Sequence, residues 1–149
     1  MAKKTTTKEI QENLAATMRD WQKIEDASVT STGRIIEKTD NALIRMVMEI
    51  IQTDSKLHYR VQELIASTLE KKPVSLTPDE LGEVWDGIRK HIKMEKDMVE
   101  YVRETLEQIK GRKMLVQEYL LNYLKADEVK HDYLLATLEQ VKKGMYPYG

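Results

Sequence analysis

The sequence predicts an all-α protein, a four-helix bundle built from two similar helical hairpins. Three observations carry that reading. Composition is the first: the 149 residues hold only three prolines and six glycines, and 33% are charged, which suits long amphipathic helices better than sheet. The second is periodicity, since apolar residues recur at steps of three, four and seven through four long segments. The third is an internal resemblance between the two halves of the chain. Helices are expected over about 7–37, 40–68, 78–110 and 113–143, in a single domain spanning 1–149.

The first helix should begin near Thr7 and turn Leu14, Met18, Trp21, Glu25, Val29 and Ile36 inward. Its weak point is SVTSTG, where β-branched residues and Gly33 are poor helix formers. Asp40 is a suitable N-cap for the second helix, whose stripe is Ile44, Val47, Ile51, Ser55, His58, Gln62 and Ile65. KKPVSL marks a connection, and TPDE then starts the third helix: Thr77 as N-cap, Pro78 at the first helical position, Glu80 closing a capping box. That helix carries Leu81, Val84, Ile88, His91, Glu95, Val102, Leu106 and Ile109 inward and ends at Gly111. The fourth stops at Gly144, with Pro147 beyond it. Trp21, Met18, Met46, Met48 and Met98 are expected in core packing, and Tyr101, Tyr119 and Tyr123 in packing with the hydroxyl at the rim. The YPYG tail is expected to be a mobile terminus or a dimer contact.

Composition also removes several function classes. Lys and Arg number 24 against 25 Asp and Glu, so no basic surplus favours nucleic acid. No apolar run approaches the ~20 residues of a membrane span. MAKKTTTKE has no apolar stretch behind its basic residues, so no secretory leader is expected and a cytoplasmic location is. Cysteine is absent, which excludes disulfides, thiolate zinc sites and iron–sulfur clusters.

The candidate chemistry lies in polar residues that interrupt apolar stripes. On the fourth helix Leu120, Leu124, Glu128, His131, Leu135 and Leu138 share one face. Glu95 does the same on the third helix, Glu25 on the first and His58 on the second, and all three histidines fall on predicted inner faces. TDSKLH (53–58) aligns with ADEVKH (126–131), and WQKIEDASV (21–29) with HIKMEKDMV (91–99), pairing Glu25 with Glu95 and His58 with His131. Unpaired buried carboxylates cost several kcal/mol each. A divalent cation relieves that cost, and carboxylate with imidazole suits iron, manganese or zinc. The bland alternative is a set of glutamates paired with lysines and histidines satisfied in a core.

In these residues the chain resembles the ferritin-like superfamily, and most closely its rubrerythrin-like di-iron carboxylate proteins, without a rubredoxin domain. The family pattern is Glu from helix 1, Glu-x-x-His from helix 2, Glu from helix 3 and Glu-x-x-His from helix 4. Glu25, Glu95, and Glu128 with His131 match it, and helix 2 supplies His58 but has Ser55 in place of its glutamate. The resemblance implies two iron ions if the site is intact, with manganese or zinc as alternatives. It also implies redox activity toward iron, peroxide or dioxygen, a separate electron donor and a homodimer. Three glutamates leave the charge of two divalent ions incompletely neutralised. A hydroxide, a single-metal site, or an extra ligand from Asp54, Gln62 or His91 would answer that deficit. The competing expectation is a structural or interaction bundle with a degenerate metal site.

The family topology runs helices 2 and 3 parallel. If helix 2 ended at Ala66, the crossover would span about 37 Å, within reach of the eleven residues from Ser67 to Thr77. If helix 2 persisted to Glu70 the link would be too short and a simple up-down-up-down bundle would follow; the crossover is the expectation.

Overall fold

The computed structural model describes residues 5–145, and among them it contains four helices and no strand. These are α1 (Thr7–Lys38), α2 (Ala42–Glu70), α3 (Pro78–Ile109) and α4 (Leu115–Met145). Helix α1 packs along α2 and α3 along α4, giving two hairpins. Each hairpin is a compact unit, with the boundary between Ser75 and Leu76. Among the described residues no helix is long and apolar enough to cross a membrane. Pro147 and the YPYG tail lie outside the described residues.

Local chemistry explains the helix ends. Thr6 and Glu9 form a capping box on α1: the Thr6 hydroxyl accepts from the Glu9 N–H at 3.2 Å, and the Glu9 carboxylate accepts from the Thr6 N–H at 2.7 Å. The N-cap of α2 is Asn41 rather than Asp40. Its Oδ1 accepts from the N–H groups of Leu43 and Ile44 at 3.0 and 3.1 Å, whereas Asp40 lies one residue too early. Thr77 and Glu80 repeat the capping box on α3. Replacing Thr77 with alanine is expected to cost about 1 kcal/mol of α3–α4 stability, read as a lower urea midpoint. After Ile109 the chain turns through Gly111, whose φ of +70° is the left-handed conformation that glycine adopts without a steric penalty. Helix α4 passes Gly144 and includes Met145, so that glycine does not stop it.

SVTSTG does not interrupt α1. Thr30 and Thr32 donate their hydroxyls to the carbonyls of Asp26 and Ser28 in the preceding turn, at 3.1 and 2.8 Å. The segment is also where α2 comes closest: Gln52 donates to the Val29 carbonyl at 3.1 Å, and a Cβ on Gly33 would stand 3.3 Å from the same amide. Glycine there leaves room for that contact.

Helix α2 runs to Glu70, four residues beyond the end the crossover needs, and seven residues, Lys71 to Thr77, connect it to α3. The premise of the crossover is therefore not met.

The buried positions are Ala15, Met18, Gln22 and Thr32 on α1 and Ser55, Gln62 and Ala66 on α2. On α3 they are Leu81, Trp85, Glu95 and Val102, and α4 has none. Several residues expected in a core are exposed instead: Leu14, Trp21, Ile44, Ile51 and Ile65 in the first hairpin, Val84, Met98 and Leu124 in the second. Met46, Tyr101 and Tyr119 are exposed as well. Within each hairpin the apolar stripe is wider than the edge that the partner helix covers. The tryptophan that packs inside is Trp85, not Trp21, and the Lys142 ammonium lies 4.8 Å from its ring centroid.

Candidate metal centre

The second hairpin brings Glu95 of α3 together with Glu128 and His131 of α4. One ligand atom from each lies within 4.8 Å of the others. The i, i+3 spacing of Glu128 and His131 stacks both on the side of α4 that meets Glu95. His131 Nδ1 is 3.3 Å from Glu95 Oε2 and 3.7 Å from Glu128 Oε2. Glu95 is buried to 8% residual exposure, and no N–H is aligned on its Oε2, which therefore depends on a proton shared with Glu128 or on a cation.

The two carboxyls are coupled. A hydrogen bond shared with Glu128 lowers the pKa of Glu95, against the effect of burial and with help from His131 and His91. The same hydrogen bond, then burial and the Glu95 charge, raise that of Glu128. Without a metal, a proton on Glu128 relieves the pair below that raised value, and above it the two carboxylates repel one another.

The far side of the imidazole is also engaged. His131 Nε2 is 3.4 Å from Asp127 Oδ2, and Asp127 is itself paired with Lys130 at 2.7 Å. A carboxylate behind a histidine can orient the ring, and with Nε2–H turned toward Asp127 the Nδ1 lone pair is the ligand atom on the side of the two glutamates. Asp127 does not interrupt an apolar stripe, so the pattern does not single it out, although its spacing of four from His131 puts both on one side of the helix. Asp127→Asn is expected to weaken metal affinity by about 10–100-fold while leaving the fold intact, measured by competition with a chelator. His91 Nε2 lies 2.8 Å from Glu95 Oε1, so it contacts the site from the solvent side without joining the three-residue group.

The first hairpin holds the related pair. His58 Nδ1 is 3.5 Å from Glu25 Oε1, echoing His131 and Glu95. Its other polar groups are largely used internally. Gln62 donates to Glu25 Oε1 at 3.1 Å, and Ser55 Oγ bonds to Ser28 Oγ at 2.8 Å. The Gln62 carbonyl oxygen is buried without a partner. Asp54 does not join Glu25 and His58 in a ligand group among the described residues, so it does not replace the missing glutamate. Beside this pair, Arg19 bonds to Glu63 and Glu70, and its guanidinium draws the Glu63 carboxyl down to about 2.

Comparison with family models, curated proteins and solved structures gives no match in any of the three. The reading of the site therefore stands on its geometry: a small, partly enclosed carboxylate–imidazole group able to bind a metal ion.

Proposed function

We propose that the chain is a ferritin-like, rubrerythrin-like metal protein whose working centre is Glu95, Glu128 and His131. The observation that carries this reading is the buried Glu95 Oε2, on which no N–H is aligned although two further ligand-type side chains stand beside it. Iron fits the donor set best, with manganese or zinc as competitors. Bound iron would supply one-electron redox chemistry, toward ferrous iron itself, peroxide or dioxygen. The chain's own residues do the rest. Glu95 and Glu128 neutralise the cation, His131 donates Nδ1, and Asp127 holds the ring. His91, exposed and 2.8 Å from Glu95, links that carboxylate to the solvent. Electrons come from a separate donor, since the chain has no cysteine to hold a redox centre. The test is an anaerobic Fe(II) titration followed by peroxide. Bound ferrous iron is expected to oxidise with saturation in protein, and a chain that binds no Fe(II) refutes the reading.

A second reading, a structural or interaction protein with a degenerate site, is favoured by the first hairpin. Ser28 with Ser55, and Gln62 with Glu25, satisfy one another without a metal. It predicts that Glu128→Ala with His131→Ala leaves thermal stability in excess Fe(II) unchanged or higher.

A further inference from the structure

We propose that Ser55 and Gln62 are the residues that keep the α1–α2 hairpin free of metal, so that the chain binds a single ion through the α3–α4 hairpin alone. This rests on the metal-binding reading and goes beyond it by assigning the number of ions and the side chains that set it.

The two hairpins carry the same acid–imidazole pair. His58 Nδ1 stands 3.5 Å from Glu25 Oε1, and His131 Nδ1 stands 3.3 Å from Glu95 Oε2. The backbones therefore present the pair alike, and a difference in metal binding comes from the side chains around it. In the repeat, Ser55, His58 and Gln62 take the places of Glu128, His131 and Leu135.

The first replacement removes charge. Glu95 and Glu128 together balance one divalent ion, whereas Glu25 alone leaves one positive charge without a counter-charge. Ser55 does not make up the difference. Its hydroxyl donates to Ser28 Oγ at 2.8 Å, and neither side chain is ionised.

The second replacement occupies the ligand atom. Gln62 Nε2 donates to Glu25 Oε1 at 3.1 Å, the same oxygen that faces His58. A cation at Glu25 has to displace this donor, and hydrogen bonds to a carboxylate are among the stronger ones. The opposite orientation would set the amide oxygen against the carboxylate, so the amide donates there even though its own Oε1 is then buried without a partner. Turning the amide to offer Oε1 to a metal adds an oxygen ligand but no charge. A leucine, as at position 135, makes no such bond.

The experiment is anaerobic equilibrium dialysis of the full chain against Fe(II), with circular dichroism to confirm that each variant is helical. The parent is expected to bind one ion per chain. Ser55→Glu/Gln62→Leu, which copies the second hairpin into the first, should bind two. Ser55→Glu alone should bind the added ion about tenfold more weakly than the double variant, because Gln62 still holds Glu25. The Glu25→Ala/His58→Ala variant should take up one ion with the parent's affinity. Two ions bound by the parent overturn the proposal, as does loss of the ion in Glu25→Ala/His58→Ala, or a helical Ser55→Glu/Gln62→Leu variant that still binds one. Each of these results leaves metal binding by the chain standing. Position 55 is buried, and should the double variant fail to fold, Leu135→Gln takes its place. A glutamine there should weaken binding about tenfold by donating to the acid of its own hairpin, and unchanged affinity overturns the role given to Gln62. A parent chain that takes up no ion overturns the proposal and the metal-binding reading together.

Discussion

Replacing Glu128 with glutamine is expected to stabilise the metal-free protein and to abolish its stabilisation by metal. In the parent, Glu128 is held above the ordinary glutamate range by the hydrogen bond it shares with Glu95, by burial and by the Glu95 charge. Ionising it therefore costs stability, and that cost appears as pH rises from the ordinary glutamate range through the raised value. Glu95 is shifted the opposite way, so its contribution is present above the ordinary range and is lost as pH falls through its lowered value. A glutamine amide at position 128 can still donate to Glu95 but never ionises. The metal-free variant should gain about 1 kcal/mol at neutral pH, roughly 3 °C in melting temperature. The gain should vanish near pH 4, where the parent carboxyl is protonated and donates the same bond. With Fe(II) at 100 times its dissociation constant the parent gains about 2.7 kcal/mol, and the variant should gain almost none. Opposite signs with and without metal separate a ligand from a merely structural acid. Thermal melts at both pH values, with and without anaerobic Fe(II), read all four quantities.

The second large effect concerns packing. Trp85 retains only 8% exposure on a hairpin whose other buried apolar side chains are Leu81 and Val102. Trp85→Ala is expected to cost about 3 kcal/mol, because few neighbours can collapse into the space. In hydrogen exchange this is a loss of about 100-fold in protection along α3 and α4. Trp21→Ala, at a side chain 48% exposed, should cost under about 1 kcal/mol. Similar costs for the two substitutions would contradict the burial described here.

The helices were legible in the sequence because their signals are local. The capping box of Thr77 with Glu80, steps of three and four, and a glycine at position 111 each depend on a few neighbouring residues. The inward faces were less legible. Leu14, Trp21, Ile44 and Val84 belong to real apolar stripes, yet periodicity gives the direction of a stripe and not how much of it a partner covers. The end of α2 turned on the few residues between Ala66 and Glu70, where no proline or glycine forces a stop before Pro73. At the candidate site, Glu95, Glu128 and His131 were readable because ligand-type residues stood where apolar ones were expected. The fate of the first half was not. Ser55 marked a departure, but its bond to Ser28 and the bond from Gln62 to Glu25 join different helices, and such pairing leaves no mark on a single stripe. Asp127 was not legible because one aspartate on a charged helix is indistinguishable from a solvated one until its approach to His131 is seen.

The central claim is that Glu95, Glu128 and His131 hold a metal ion. Crystals of the protein loaded anaerobically with Fe(II), measured at the iron absorption edge, test it most directly. The account predicts an anomalous peak about 2.0–2.2 Å from a carboxylate oxygen of Glu95, one of Glu128, and Nδ1 of His131. Iron-loaded crystals with no peak at these three residues, or with their side chains paired only to one another, would contradict it.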